Sequence, residues 1–269
     1  MAAEISIGVA GGGGRMGRML LAEIAASKGC RIAGAIERAG SRDLGRDLGD
    51  LAGSGALKLK LGSDPKALFK QSDVIVDFTT PEASTAHAKL AASLGKAMVI
   101  GTTGLSAAQE AALRAAATKS AIVWSPNMSV AVNLLLKLVD EAARALGPAY
   151  DIEIFEMHHR MKADAPSGTA LALGRAAARA RGIDLDKKSA RARDGVTGPR
   201  RPGDIGFAVL RGGDEAGEHR VIFAGDGETL TFTHRATSRR IFARGAVLAA
   251  LWAAKQKPGL YAMADVLRG

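Results

Sequence analysis

Short apolar runs alternate with helical patterns along the first half of the chain. Six runs are predicted as strands: Ile5–Ala10, Arg31–Glu37, Leu57–Leu61, Val74–Phe78, Ala97–Gly101 and Ala121–Trp124. They are near-continuous in apolar residues, as is typical of parallel strands covered on both faces. Between them, the pair Thr80-Pro81 and the spacing of Ser106 and Gln109 are signals for helix starts. This alternation predicts a doubly wound parallel sheet.

The pattern changes after residue 127. Ser129 can cap a long helix over VAVNLLLKLVDEAARAL, which is expected to end near Gly147-Pro148. Four strand-like runs come next: Asp151–His158, Gly206–Arg211, Arg220–Phe223 and Thr229–Arg235. The last two are joined around AGDGE, which is a turn signal, and Ile241–Ala254 is helical again. We therefore expect a second, α+β domain with a partly antiparallel sheet, and a tail that packs back onto the first domain.

A glycine-rich loop follows the first predicted strand. In GGGGRMG, residues 11–17, two phosphate-loop registers fit, Gly12-x-Gly14-x-x-Gly17 and Gly11-x-x-Gly14-x-x-Gly17. Glycines let backbone N–H groups approach a pyrophosphate, and the helix that follows adds its dipole. Glu37 ends the second strand twenty residues past Gly17, where a carboxylate meets the adenosine ribose hydroxyls. The pattern predicts a dinucleotide site, with a flexible structural turn as the alternative.

Three further segments bear on the same site. The Arg38 guanidinium can pair with a 2′-phosphate while Glu37 would repel one, so the pair predicts that both NADH and NADPH are accepted. A solvated loop arginine is the alternative for Arg38. Residues 101–104 (GTTG) and 125–128 (SPNM) lie at the carboxyl ends of predicted parallel strands, where ligands bind in such sheets. Plain strand-to-helix turns explain both segments equally well.

Residues 156–170, EMHHRMKADAPSGTA, gather many titratable and turn-forming groups. His158 and His159 are adjacent at the end of a strand-like run, so their side chains should point to opposite faces and make poor partners for one metal ion. An acyl-enzyme is not expected, because the sole cysteine, Cys30, is far away in sequence and no GxSxG motif is present. Acid–base chemistry and anion binding remain as readings of the segment.

An anion cradle fits the end of this segment well. Ser167 can cap a helix over TALALGRAAARARG, and the N–H groups of its first residues, Gly168 and Thr169, would then suit a carboxylate. Lys162 and one histidine supply charge and a proton nearby. A polar loop with a routine helix cap is the alternative.

Composition narrows the class of protein. The chain has 269 residues, of which 47% are apolar and 24% charged, the profile of a soluble globular protein. No apolar run approaches the roughly 18–20 residues that span a bilayer. The start, MAAEISIGVAGGGG, lacks a basic segment ahead of an apolar one, so no signal peptide is expected. A single cysteine allows no intrachain disulfide and favours a cytoplasmic location.

The formal net charge of +10 raises the question of nucleic acid. The densest basic stretch, Arg175–Arg201, is interrupted by Asp184, Asp186 and Asp194, and aromatic residues are only 4% of the chain, which leaves little for base stacking. An anionic cofactor and an anionic metabolite would use the positive charge equally well. We expect no nucleic-acid and no membrane partner.

Several segments together resemble one known family. They are GGGGRMGRML, the Glu37-Arg38 pair, VIVDFTTPEAS, VIGTTG, SPNMSVAVN, EMHHRMKADAPSGTA, PGDIGFAVLRGGDEAGEH and the tail through Trp252. The sequence resembles the 4-hydroxy-tetrahydrodipicolinate reductase (dihydrodipicolinate reductase) family of bacterial lysine and diaminopimelate biosynthesis. The resemblance covers nearly the whole chain, and the histidine segment is its most specific part.

The resemblance implies a two-domain α/β oxidoreductase. A Rossmann-like dinucleotide-binding domain is expected in residues 1–128 and 240–269, and a substrate-binding domain that builds a homotetramer in residues 129–239. The implied reaction is NAD(P)H-dependent reduction of (2S,4S)-4-hydroxy-2,3,4,5-tetrahydrodipicolinate to 2,3,4,5-tetrahydrodipicolinate, with loss of water. Hydride adds to C4 of a conjugated cyclic imine, and the resulting enamine needs a proton from a positioned acid.

The resemblance also implies individual site residues. Cofactor contacts are expected at Gly11, Gly12, Gly13, Gly14, Arg15, Met16, Glu37, Arg38, Gly101, Thr102, Thr103, Ser125, Pro126, Asn127 and Met128. His158 is implied as a proton donor/acceptor and Lys162 as a proton donor. Contacts to the dicarboxylate substrate are expected at His159, Gly168 and Thr169, and no metal is expected.

Two positions depart from the family pattern. Met128 stands where many members carry phenylalanine, and Ala131 stands where glycine is common. Both departures concern the shape of the nicotinamide pocket. Other readings that the sequence leaves open are a different two-domain NAD(P) oxidoreductase and a nucleotide-sensing regulator without turnover.

Overall fold

The computed structural model describes residues 4–268. Met1–Ala3 and Gly269, which the sequence analysis placed in the first domain, lie outside the described residues. The chain divides into two compact units. The first unit runs to Val130 and resumes at Arg240, and the second unit is Ala131–Arg239.

The elements are numbered in chain order. The strands are β1 (Ile5–Ala10), β2 (Cys30–Ile36), β3 (Val74–Asp77), β4 (Ala97–Ile100), β5 (Ala121–Trp124), β6 (Asp151–His158), β7 (Ser189–Ala190), β8 (Ile205–Arg211), β9 (Gly217–Gly225), β10 (Glu228–Ala236) and β11 (Gly259–Tyr261). The α-helices are α1 (Arg15–Ala26), α2 (Leu48–Ala52), α3 (Pro65–Gln71), α4 (Pro81–Leu94), α5 (Ala107–Ala117), α6 (Val130–Leu146), α7 (Gly168–Ala180), α8 (Leu185–Lys188), α9 (Arg240–Ala253) and α10 (Met263–Val266). None of the described helices is long and apolar enough to span a membrane.

The first unit is built on a parallel sheet of six strands in the order β11-β5-β4-β3-β1-β2. Its strands are buried on both faces, which is why their sequences are almost continuous runs of apolar residues. The order reverses at β1, which has β2 on one side and β3 on the other. The carboxyl ends of β1 and β3 therefore open the crevice in which ligands bind in such sheets. The Rossmann-like sheet predicted from the sequence is confirmed.

Helices cover both faces of this sheet. On one face, Ile7 and Leu20 pack with Ala246 and Ala250 of α9 in a single buried cluster. A second buried cluster contains Phe69, Ala88 and Leu113 from α3, α4 and α5, and it covers the other face. The glycine loop, which joins β1 to α1, is thereby held by packed elements on both sides.

The strand predicted over Leu57–Leu61 is wrong. The segment LKLKL and the glycine after it make only isolated bridges, Lys60 with Asp47 and Gly62 with Ile36. Lys58 adopts a left-handed conformation with φ 59°, which interrupts an extended run, and within the segment only Leu61 is buried. The alternation of leucine and lysine in this exposed loop resembles the sequence pattern of a strand. The short strands β7 and β11 were not predicted.

The second unit holds a mixed sheet of five strands in the order β10-β9-β6-β8-β7. β6 runs antiparallel to β9 and parallel to β8. One face of the sheet packs against α6 and α7, and the buried core formed there contains Ile152, Ile154, Phe223, Leu135, Val139 and Leu173. The predicted α+β mixed sheet is confirmed. β9 begins at Gly217, three residues earlier than predicted, so His219 belongs to the sheet.

Candidate active site

The glycine loop has a backbone that only glycine accommodates at two positions. Gly11 has φ +81°, and the N–H groups of Gly11 and Gly12 both donate to the carbonyl of Ile36 at 2.9 Å. A Cβ on Gly17 would lie 2.0 Å from the carbonyl oxygen of Gly11. The loop is therefore folded tightly back between the end of β1 and the start of α1.

The start of α1 is suited to an anion. Its N-cap is Gly14, and no side chain among the described residues caps the first turn. Gly14 and Arg15 are exposed, so the uncapped end of the helix is reachable from solvent. The Glu37 carboxylate accepts hydrogen bonds from the N–H of Gly13 and of Arg38, both at 3.1 Å, and Arg38 itself is exposed. The predicted phosphate loop and ribose carboxylate thus lie side by side, an arrangement that fits a dinucleotide.

A buried carboxylate organises the loop after β4. Asp77 is fully buried at the end of β3 and accepts hydrogen bonds from Thr79 Oγ1 at 2.6 Å and Ser84 Oγ at 2.8 Å. His87 Nδ1 lies 2.6 Å from its other oxygen. The Thr102 hydroxyl oxygen lies 2.7 Å from Ser84 Oγ, so the network reaches GTTG. The loop is therefore fixed by side chains that the sequence analysis did not single out.

The loop after β5 adjoins GTTG at the same edge of the sheet. The N–H of Ser125 donates to the carbonyl of Ile100 at 3.2 Å, and its hydroxyl donates to the carbonyl of Asn127 at 2.8 Å. Pro126 is exposed, whereas the Met128 side chain is only 1% exposed and packs in the core. Met128 is buried, so its difference from phenylalanine affects core packing first.

In the second unit, a histidine and a glutamate occupy the end of a buried face. β6 alternates so that Ile152, Ile154, Glu156 and His158 all point inward. His158 Nδ1 lies 2.5 Å from Glu156 Oε2, and Glu156 is fully buried. The Cβ position at Gly217 is 2.9 Å from His158 Nε2, so a side chain there would displace the ring.

The electrostatics of this pair are set by burial and by neighbouring charges. Burial is the main reason why the pKa of His158 is lowered, and it outweighs the opposing effect of the Glu156 carboxylate. Burial by itself would raise the pKa of Glu156, but hydrogen bonds from Arg211, His158 and the N–H of Ser167 leave that pKa lowered. The result is a neutral histidine on an ionised carboxylate, an arrangement suited to proton exchange near neutral pH.

Positive side chains lie near the carboxyl end of β6. Lys162 Nζ donates to both oxygens of Asp164, at 2.7 and 2.9 Å, and this hydrogen bond is the main reason why the pKa of Asp164 is lowered. His159 is half-buried, and its Nε2 accepts from an Arg239 guanidinium N–H at 3.2 Å. The two adjacent histidines thus have different surroundings, one on the inner face and one beside an arginine.

The start of α7 has the geometry predicted for an anion cradle. Ser167 is the N-cap, and its hydroxyl accepts from the N–H of Ala170 at 3.1 Å. Gly168 is the first helical residue and is exposed, and, apart from its chain neighbours and the backbone of its own helix, no described atom lies within 4 Å of the place where a Cβ would stand. Thr169 follows it and is half-buried. A ligand can reach the backbone at Gly168 without obstruction.

Sequence reasoning missed four residues that contact the predicted ones. Arg211 donates to both oxygens of Glu156 at 2.9 Å, and His219 Nε2 lies 3.0 Å from the Ser167 hydroxyl. Arg239 is the partner of His159. The period of two along β6 was the available signal for Glu156, since it places that residue on the face of His158. Arg211 and His219 arrive through strand pairing, which the local sequence does not encode.

The basic stretch of the second unit is partly neutralised. Arg193 donates to both oxygens of Glu153, at 2.8 and 2.9 Å, and Arg200 contacts Glu153 and Asp151. Arg179 pairs with Asp140. Within residues 4–268 no group of three or more histidine, cysteine, aspartate or glutamate side chains is placed to hold a metal ion.

Comparison with known proteins places this geometry in context. Residues 5–128 match the family model described as dihydrodipicolinate reductase, N-terminus, and residues 131–267 match the model for the C-terminus of the same enzyme. A 4-hydroxy-tetrahydrodipicolinate reductase from Chelativorans sp. (strain BNC1) is 56% identical over 265 residues, which cover 98% of this chain and 96% of that protein. The enzyme of that name from Brucella abortus (strain 2308) is 55% identical over 260 residues, covering 96% of this chain and 97% of that one.

A solved structure has the same fold. A dipicolinate-bound dihydrodipicolinate reductase from Paenisporosarcina sp. TG-14 superposes with a TM-score of 0.78 at 22% identity, covering 96% of this chain and 97% of that one. A diaminopimelate dehydrogenase from C. glutamicum gives a TM-score of 0.56 at 15% identity, covering 98% of this chain and 94% of that one. At these identities the likeness concerns the fold alone.

Proposed function

The chain belongs to the dihydrodipicolinate reductase family, and we propose that it reduces (2S,4S)-4-hydroxy-2,3,4,5-tetrahydrodipicolinate to 2,3,4,5-tetrahydrodipicolinate in diaminopimelate and L-lysine biosynthesis. Water is lost in this reaction. The observation that carries the proposal is the arrangement of His158 and Lys162 beside the start of α7, because it combines a proton-exchanging group with a place for a carboxylate.

The reductant is a nicotinamide cofactor, which supplies the hydride when it is bound. The uncapped start of α1 would hold its pyrophosphate through Gly11–Met16. Glu37 would accept hydrogen bonds from the adenosine ribose. The loops Gly101–Thr103 and Ser125–Met128 lie at the same edge of the sheet, where they would contact the nicotinamide half.

The second unit would bind and protonate the substrate. Gly168, Thr169 and His159 would hold its carboxylates, with Lys162 and Arg239 adding positive charge. Protonation of the enamine that follows reduction would fall to His158 as donor/acceptor and to Lys162 as donor. Lys162 lies close enough to His158 to lower its pKa by repulsion, so the two groups can act on one ligand.

Use of both NADH and NADPH is part of the proposal. Glu37 is held in place by the N–H of Gly13, which favours a ribose with free hydroxyls. Arg38 is exposed at the next position and would pair with a 2′-phosphate.

Assembly and location are also proposals. A homotetramer built through the second unit would cover the exposed Leu210 and Leu230 of β8 and β10, which lie on the sheet of that unit. The only cysteine, Cys30, is a buried thiol, in keeping with the cytoplasm.

The test of the proposed function is a coupled assay. The substrate is generated in place by the preceding synthase, and loss of NADH or NADPH absorbance is followed on addition of the chain. We expect rapid oxidation of both cofactors that depends on the synthase and on this chain. Oxidation with neither cofactor, or equal oxidation without the synthase, would contradict the proposal.

A further inference from the structure

Glu156 is the most completely hydrogen-bonded carboxylate around His158. Its Oε1 accepts from the N–H of Ser167 at 3.0 Å and from Arg211 Nη2 at 2.9 Å. Its Oε2 accepts from Arg211 Nη1 at 2.9 Å and lies 2.5 Å from His158 Nδ1. Arg211 also donates to the carbonyl of Asp164 at 2.7 Å. The buried Glu156 carboxylate therefore contacts both His158 and the N-cap residue of α7, Ser167, and through Arg211 it is linked to the loop after β6.

These contacts dictate where the proton sits on the histidine ring. Arg211 and the backbone N–H of Ser167 can only donate, and an ionised carboxylate can only accept. Since Glu156 accepts at both oxygens, the ring nitrogen that faces it must carry hydrogen. His158 is thus held with the proton on Nδ1, and Nε2 remains as the nitrogen that exchanges a proton with a ligand.

We propose that Glu156, clamped by Arg211, is a positioning residue that fixes the tautomer of His158 and at the same time holds the start of α7 in register with it. The kinetic part of this proposal rests on the function proposed above, in which His158 exchanges a proton with the substrate. The tautomer itself does not depend on that function.

Glu156→Gln tests the idea sharply because an amide has one acceptor and one donor. An NH₂ group placed at Oε1 would meet the Ser167 N–H, a donor that cannot change. Placed at Oε2 it meets His158, which can move its proton to Nε2 and accept. An Arg211 N–H faces the amide nitrogen in either orientation and therefore favours neither one. The variant should therefore turn His158 into the opposite tautomer while the amide oxygen keeps the bond from Ser167.

The charge change has a separate consequence for pH dependence. His158 faces Glu156 on its own strand, Lys162 from the following loop, Arg211 from β8 and His219 from β9. Lys162 is itself paired with Asp164. The ionised Glu156 carboxylate directly stabilises the protonated His158 ring, whereas the positive charges of Lys162 and Arg211 oppose its protonation. Removing the charge of Glu156 should lower the pKa of His158 further.

The first measurement is the ¹⁵N spectrum of the histidine side chains in the wild-type chain and in Glu156→Gln. The five histidines can be assigned by single substitutions. We expect Nδ1–H in the wild type and Nε2–H in the variant. A wild-type chain with the proton on Nε2 overturns the proposal, even if the variant fails to fold. A folded variant that keeps Nδ1–H also overturns it.

The second measurement is the pH profile of kcat with enzymatically generated substrate. The limb on which kcat falls as His158 loses its proton should move to lower pH in Glu156→Gln, with roughly a tenfold lower kcat on that limb. The KM for the substrate should change much less, because the cradle retains the Ser167 bond. A merely structural effect would lower kcat at every pH without moving the limb.

A matched control and a companion variant complete the design. Glu153→Gln lies on the other face of β6 and also removes a carboxylate that two arginines hold, so it should change neither the tautomer nor the limb. Arg211→Lys keeps the carboxylate and should keep Nδ1–H. A switch of tautomer in either one overturns the assignment to Glu156. Absence of turnover in the wild type, with the expected tautomers, would instead refute the proposed function alone.

Discussion

His219 gives the second unit a stability that depends on pH. The ring is 4% exposed, and its Nε2 lies 3.0 Å from the Ser167 hydroxyl, which in turn accepts from the N–H of Ala170. The Ser167 hydroxyl can accept from Ala170 and donate to Nε2 of a neutral ring at the same time. Burial, helped by the positive charge of a protonated His158, lowers the pKa of His219 to about 3.

The size of the effect follows from this pKa. The unfolded chain binds the proton below about pH 6.5, whereas the folded chain does not bind it until about pH 3. The contribution of His219 to stability is thus complete above about pH 6.5 and is lost as the pH falls, at about 1.4 kcal/mol per unit. At about pH 5 the loss amounts to about 2 kcal/mol, because the folded chain is still almost entirely unprotonated there.

The variant His219→Gln isolates the contribution of His219 to the pH dependence of stability. Glutamine retains an acceptor for Ser167 but does not titrate, so the variant should be less stable than the wild type at about pH 7.5 and should recover about 2 kcal/mol relative to it by about pH 5. Carboxylates that titrate in this range affect both chains alike and cancel in the difference.

Native-state hydrogen exchange provides the assay. The opening free energies of amides in β6 and β9 report on the second unit by itself, and they should be compared between the two chains at several pH values. A difference between wild type and variant that stays constant from about pH 7.5 to about pH 5 would refute the assignment of a strongly lowered pKa to His219.

Four further outcomes are expected. Glu37→Ala should raise the KM for NADH and spare NADPH, and Arg38→Ala should do the reverse, each by about tenfold or more; equal changes for both cofactors would contradict the assignment. Gly17→Ala, whose Cβ would meet a carbonyl at 2.0 Å, should cost about 1–3 kcal/mol and weaken NADH binding measured by fluorescence. Gly168→Ala has open space around it, so its melting temperature should hold while the substrate KM rises; an unchanged KM would place the substrate elsewhere. Light scattering should give about four times the chain mass, and a stable monomer at micromolar concentration would count against the tetramer.

The sequence predicts the elements well where hydrophobic period and capping signals agree. β6 begins and ends where it was predicted, at Asp151 and His158, and its burial alternates along its whole length. α7 begins at Gly168 after the predicted cap. The prediction failed at Leu57–Leu61, where the sequence alternates but the residues are mostly exposed and a left-handed Lys58 interrupts the extended backbone.

The parts of the site that were missed depend on pairing between distant strands. Register places Arg211 of β8 opposite His158, and His219 of β9 opposite Glu156. These partners lie more than fifty residues from β6 in sequence, and only the mixed order of the sheet brings them together. The Asp77 network is of the same kind, since Thr102 reaches it from a neighbouring strand end. Sequence motifs identified the groups proposed for chemistry, but not the groups that hold them.

The most direct test of the central claim is the turnover number of His158→Ala and Lys162→Ala, measured with enzymatically generated substrate alongside NADH binding by fluorescence. If these two residues serve proton transfer, kcat should fall by about 100-fold or more in each variant, while the NADH dissociation constant stays almost unchanged because the proposed dinucleotide site belongs to the other unit. Near-normal kcat in both variants would contradict the account and place the chemistry on other residues.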